Sequence, residues 1–129
     1  MLVACAGCWS SGPFDYVPAS GKIAYDDGTP IPGGCRLAFV AQDAAPVGNA
    51  YPRPGLANVD AEGKFDCVTS HKFGDGLIPG KHKVVIQNAG EQTGKPVVPK
   101  EFTSETTTTL IVDTHDAPFD IKVPKPKGR

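Results

Sequence analysis

The side chains best suited to chemistry are four cysteines, three histidines and a few acidic turns. Cys5-Ala6-Gly7-Cys8 has the CxxC spacing. A redox role for that spacing needs a strand–helix–strand setting, and no helical period follows it. A zinc ribbon needs a second close pair of cysteines, whereas Cys35 and Cys67 stand far apart in the chain. Both fall on the inward parity of expected strands. In an oxidising compartment they are candidates for a disulfide, which would stabilise the fold by roughly 3–4 kcal/mol in the chain-entropy model. The other reading is two buried free thiols acting as small hydrophobes.

His71, His82 and His115 are scattered, with no HxH or HExxH spacing. Asp113-Thr114-His115-Asp116 and Asp26-Asp27 offer oxygen atoms of the kind that Ca²⁺ takes. Aspartates also cap turns without any ion, by accepting nearby backbone N–H groups. No metal and no cofactor is therefore assigned. There is no GxSxG nucleophile elbow, and Gly90 to Lys95 lacks the spacing of a phosphate-binding loop. These residues give no case for an enzyme. Phe14, Tyr16, Tyr51 and Phe73 lie in or near loops, and Tyr51 and Phe73 are candidates to stack on a sugar or a peptide. The alternative is that such aromatics fold back over the ends of the core.

Leu2-Val3-Ala4-Cys5 looks like a bacterial lipobox, in which small residues precede a cysteine that is lipidated and becomes the mature N-terminus. Cys5 is the first candidate for lipidation and Cys8 the second. A lipid there would tether the protein to a membrane, since each buried CH₂ contributes roughly 0.8 kcal/mol. The charged and apolar segments that precede a full lipobox are missing, so the reading expects more chain upstream. An apolar, frayed N-terminus is the competing view.

The chain has 129 residues, which suits one domain with one core. Its formal net charge is -1, and no basic stripe interleaved with aromatics speaks for nucleic acid. No apolar run approaches the roughly 18–20 residues of a membrane-spanning helix.

The elements that would position these residues are strands. No segment carries a sustained 3.6-residue period. Period-two patterns predict strands over 19–25, 35–42, 56–59, 64–69, 81–88 and 118–123, and composition adds 106–112. Asp60-Ala61-Glu62-Gly63 is a type I turn signal, with Asp first and Gly last. It is expected to close a hairpin, with Phe65, Cys67 and Thr69 facing inward after it. Residues 89–103 read as a long loop. The result is an all-β chain, a seven-stranded antiparallel β-sandwich over 17–123, with a flexible tether over 1–16 and a mobile basic tail over 124–129.

Taken in order, the motifs resemble those of transthyretin-like, carboxypeptidase-regulatory-like domains of bacterial envelope lipoproteins. Residues 20–34, Ser-Gly-Lys-Ile-Ala-Tyr-Asp-Asp-Gly-Thr-Pro-Ile-Pro-Gly-Gly, are similar to the family's opening SGKVTYDGKPLPGG. Leu37-Ala38-Phe39-Val40 resembles its second strand. Val59-Asp60-Ala61-Glu62-Gly63-Lys64-Phe65 is similar to TDADGKF, and residues 78–84 to xPPGKYKV, with His82 where Tyr is usual. Pro99-Lys100-Glu101-Phe102, Thr109-Leu110-Ile111-Val112 and Phe119-Asp120-Ile121 resemble its closing segments. The resemblance implies a prealbumin-like sandwich with Ig-like architecture on the cell envelope, facing the periplasm or exported. It implies a non-catalytic module held to the membrane by an N-terminal lipid, with an envelope polysaccharide or protein as partner. A soluble periplasmic carbohydrate- or peptide-binding domain is the alternative.

Transthyretin-type hydrolases of 5-hydroxyisourate need active-site histidines, an arginine and a Tyr-Arg-Gly-Ser end. This chain ends Pro126-Lys127-Gly128-Arg129. Iron dioxygenases of related topology need paired Tyr and His ligands, and the last strands here hold no Tyr. Fold analogy alone does not license an activity.

Overall fold

The computed structural model describes residues 16–42, 48, 52–71, 73–89 and 97–126. The strands are β1 (Gly21–Tyr25), β2 (Cys35–Ala41), β3 (Gly55–Val59), β4 (Lys64–Phe65), β5 (Lys81–Gln87), β6 (Ile111–Asp113) and β7 (Phe119–Val123). Among the described residues the only helical turns are two short 3-10 segments, Lys100–Thr103 and Thr114–Asp116. The all-β expectation holds. One sheet runs β4-β1-β7 and the other β3-β2-β5-β6.

Alternation along the strands builds one core between the sheets. Phe119, Ile121 and Val123 are buried in β7, while Asp120 and Lys122 are exposed. β3 repeats this pattern, and Leu37 and Phe39 of β2 are fully buried. Phe39 joins the two layers, with its ring centroid 6.0 Å from that of Phe65 and 5.9 Å from that of Phe119. Tilted aromatic contacts of this kind add to the burial of the rings themselves.

Several expectations need correction. The chain is not purely antiparallel: β1 pairs with β7 in parallel, from Gly21 opposite Phe119 to Tyr25 opposite Val123. Parallel neighbours cannot be joined by a tight turn, and here nearly the whole chain lies between them. The Asp60–Gly63 turn is present. Gly63 N–H donates to the Asp60 carbonyl (3.0 Å), and Asp60 Oδ1 accepts from Glu62 and Lys64 N–H, each at 2.9 Å. Yet β3 belongs to one sheet and β4 to the other, so the turn is a corner between sheets and not a simple hairpin.

The fourth strand stops at Phe65. The chain bends at Asp66, which reverses the facing of the next residues. Val68 is fully buried, whereas Cys67 and Thr69 are only half-buried. Thr69 then bridges to Leu56 and occupies the outer side of β3 there.

Residues 106–110 do not form a strand. Thr107 Oγ1 donates to the Glu101 carbonyl (2.6 Å), and Ser104 Oγ accepts from Thr106 N–H (3.3 Å). Short hydroxyl side chains satisfy local backbone groups in this way and so compete with a ladder. Thr108 is buried and donates from Oγ1 to the Val84 carbonyl (2.7 Å). The expected loop over 89–103 is also partly core. Val97, Val98 and Phe102 are buried, and the Tyr25 hydroxyl donates to the Val97 carbonyl at 2.5 Å. A buried tyrosine hydroxyl needs such a partner.

Candidate functional site

The residues singled out from sequence do not converge. Cys5, Cys8, Phe14 and Tyr51 lie outside the described residues. Phe73 is 89% exposed, at the apex of a loop that Asp75 ties down by accepting Ser70 N–H (2.8 Å) and His71 N–H (3.0 Å). Tyr16 is half-buried, and its hydroxyl is pushed up from the ordinary tyrosine value by desolvation and then by the charge of Asp75. Cys35 and Cys67 are both free thiols. Cys35 starts β2 and packs against the core, and burial pushes its thiol up to about 12.

In each acidic turn one aspartate already has its partners. Asp27 accepts from Thr29 N–H (2.9 Å) and Oγ1 (2.6 Å), and pairs with Lys125 at 2.8 Å. Lys125 first, and Thr29 after it, hold the carboxyl well below the usual range. Lys125 also sits 5.6 Å from the Tyr25 ring centroid. Asp113 accepts from His115 N–H and from His115 Nδ1, each at 3.0 Å, and the backbone donor lowers its pKa. Among the described residues no three of His, Cys, Asp and Glu gather as a metal site would.

His82 is buried on the inward face of β5. Its Nε2 meets the Ile78 carbonyl at 2.7 Å, which makes Nε2 the protonated nitrogen, and Nδ1 has no hydrogen-bond partner. Desolvation pulls its pKa below 6.5; the Ile78 and Phe39 carbonyls and the charge of Asp113 oppose this without outweighing it. A neutral ring with its polar tip turned to a carbonyl packs as part of the core.

Among the described residues, one feature that can take a ligand is a groove of about 380 Å³ on the three-stranded sheet. Consecutive residues from three strands line it: 20–22, 64–66 and 118–120. Phe65 and Phe119 turn their rings the other way, into the core, so they give the groove backbone and not side chain. Gly21 lies between them in the register. A Cβ on Gly21 would stand 2.5 Å from the Phe119 carbonyl oxygen, so only glycine permits this close approach of β1 and β7. The walls are the outward side chains: Ser20, Asp66 and Pro118 on one row, Lys64, Lys22 and Asp120 on the next.

Lys22 stands directly opposite Lys64 in the register. Like charges directly opposite each other destabilise a sheet. Neither lysine has an ion-pair partner among the described residues, since the exposed pair nearby joins Asp120 to Lys122 at 3.6 Å. One row of the groove therefore sets two ammonium groups side by side, with the Asp120 carboxylate opposite Lys22 at its far end. The carboxylates of Asp66 and Asp120 and the Ser20 hydroxyl offer acceptors to hydroxyl groups, and Pro118 offers a small apolar wall.

Sequence reading missed this site. Its residues sat inside turn and strand motifs, as Ser20-Gly21-Lys22 and Gly63-Lys64-Phe65. The one available signal was that Lys22, Lys64 and Asp120 share the outward parity of their strands; only the register makes them neighbours. Comparison of the chain with family models, with curated proteins and with solved structures returned no match.

Proposed function

We propose that this chain is a non-enzymatic binding module of the bacterial cell envelope, a transthyretin-like, carboxypeptidase-regulatory-like β-sandwich tethered through a lipid on Cys5. The ordered motifs support the family. Two sheets around a shared core are consistent with the sandwich. The observation that carries a binding role is the glycine-floored groove with its unpaired Lys22 and Lys64. Its volume lies at the small end of the range for ligand pockets, roughly 300–1,000 Å³. A saccharide unit bearing a carboxylate fits the chemistry: its anion meets the two lysines, its hydroxyls meet Asp66, Asp120 and Ser20, and its ring edge meets Pro118. This makes an acidic envelope polysaccharide the ligand class.

The groove is open, and exposed charge pairs contribute only about 0.2–1 kcal/mol each, so a single unit should bind at about millimolar affinity. Titration of isotope-labelled protein with a uronic-acid oligosaccharide and with its neutral counterpart tests the reading. Shifts should gather at Lys22, Lys64 and Asp120 with the acidic chain alone. The variant K22E/K64E should lose them while keeping its fold. Equal response to both oligosaccharides, or none to either, overturns the assignment. The half-buried Tyr16 and exposed Phe73 lie elsewhere and favour no competing site by themselves. In a soluble periplasmic form the same groove would act without an anchor. Mass spectrometry of the N-terminus of the native protein separates the two, and an unmodified Met1 would end the lipoprotein reading.

A further inference from the structure

The open side of β7 has a pattern that fits a copy of itself. In the parallel ladder Phe119 N–H donates to the Ser20 carbonyl (2.8 Å), and the Val123 carbonyl accepts from Asp26 N–H (2.9 Å). Phe119, Ile121 and Val123 thus turn their backbone groups toward β1. Asp120 and Lys122, between them, turn theirs the other way. Among the described residues no strand or bridge pairs with β7 on that side. Pro118 and Pro124 share that parity and bring no N–H, so the open edge is confined to one short window. Prolines at its two ends stop the edge from templating extended aggregation.

We propose that this window pairs with the same window of a second copy, antiparallel and centred on Ile121. In that register Asp120 faces Lys122 of the second copy, and Lys122 faces its Asp120. These are also the residues whose N–H and C=O groups point outward, so each facing pair exchanges both backbone bonds. Charge selects the register. Centring on Asp120 or on Lys122 sets like charges opposite, and shifting by one residue turns the buried face outward. The exposed Asp120–Lys122 contact within one chain, at 3.6 Å, exchanges for two contacts across the axis. Association joins the two β4-β1-β7 sheets into one continuous sheet. It also brings Lys122 of the second copy beside Asp120, a wall of the groove, so the partner adds a cation to the ligand site.

Sedimentation velocity across a concentration series up to the millimolar range, at low salt, is the test. The wild-type chain should show a concentration-dependent monomer–dimer equilibrium. D120K and K122D each replace two attractive facing pairs with repulsive ones, and each should weaken dimerisation about tenfold or more. An equimolar mixture of D120K with K122D restores opposite charges at every facing position and should associate as the wild type does. The double variant D120K/K122D should do the same alone. Both side chains are exposed, and circular dichroism checks that the variants fold. A wild-type chain that stays monomeric overturns the proposal. So do single variants that dimerise unchanged, or a mixture that fails to recover.

Discussion

The burial of His82 gives the stability of this domain a pH dependence that can be worked out before measurement. The ring is 2% exposed, donates through Nε2 to the Ile78 carbonyl, and has no partner at Nδ1. Protonation would place a charge inside the sheet interface, and desolvation accordingly holds the folded pKa below 6.5. In the unfolded chain the ring titrates near its ordinary value. Between the two pKa values the unfolded state binds more protons than the folded state. Stability therefore rises with pH through that window. The contribution is complete above the unfolded value and is lost as pH falls below it. The slope cannot exceed about 1.4 kcal/mol per pH unit, and the loss one unit below the unfolded value approaches about 1.4 kcal/mol. Urea unfolding of the wild type and of His82→Phe, from pH 7.5 to 5.5, checks this. The difference between the two should shift in favour of the variant as pH falls, by no more than about 1.4 kcal/mol per pH unit. Asp27 and Asp113 have lowered pKa values, so their contributions fade only at more acidic pH, outside this range. A pH-independent difference would refute the reasoning and place the ring in contact with water.

Two further outcomes follow from the same geometry. Asp60→Ala removes the acceptor of two backbone N–H groups and should cost about 1–2 kcal/mol in denaturant unfolding, whereas Asp60→Asn keeps one acceptor oxygen and should cost less than half of that. Equal losses would show that charge, and not the Oδ1 acceptor, holds the corner. Alkylation at pH 8 followed by peptide mass spectrometry should leave Cys35 unmodified in the folded protein, because burial pushes its thiol up to about 12 and the thiolate is the reacting species. Rapid labelling of Cys35 would contradict that burial.

Local grammar made much of the fold legible. Asp60 and Gly63 announced their turn because the hydrogen bonds that define it lie within the turn itself. Alternation located β2, β3, β5 and β7 to within a residue or two, because side-chain facing follows directly from strand pleating. The same rule failed after Phe65. A bend at Asp66 reset the alternation, and nothing local distinguishes Val68 as the buried residue. Composition misled at residues 106–110, where strand-favouring threonines spend their hydroxyls on the Glu101 and Val84 carbonyls. Val97, Val98 and Phe102 were hidden in a segment whose Gly and Pro content reads as loop.

The sequence by itself determined that the chain is all-β, where its turns fall, and which face of most strands is apolar. Those properties depend on residues close together in the chain. Tertiary structure alone decided which strands share a sheet, that β1 and β7 run parallel, and that the Asp60 corner joins one sheet to the other. It also decided the groove. Lys22, Lys64 and Asp120 come from strands far apart in sequence and are placed side by side only by the register around Gly21. Register is a pairing of distant backbones, set by the burial of Phe65, Phe119 and Phe39 against one another, and no stretch of sequence read alone contains it.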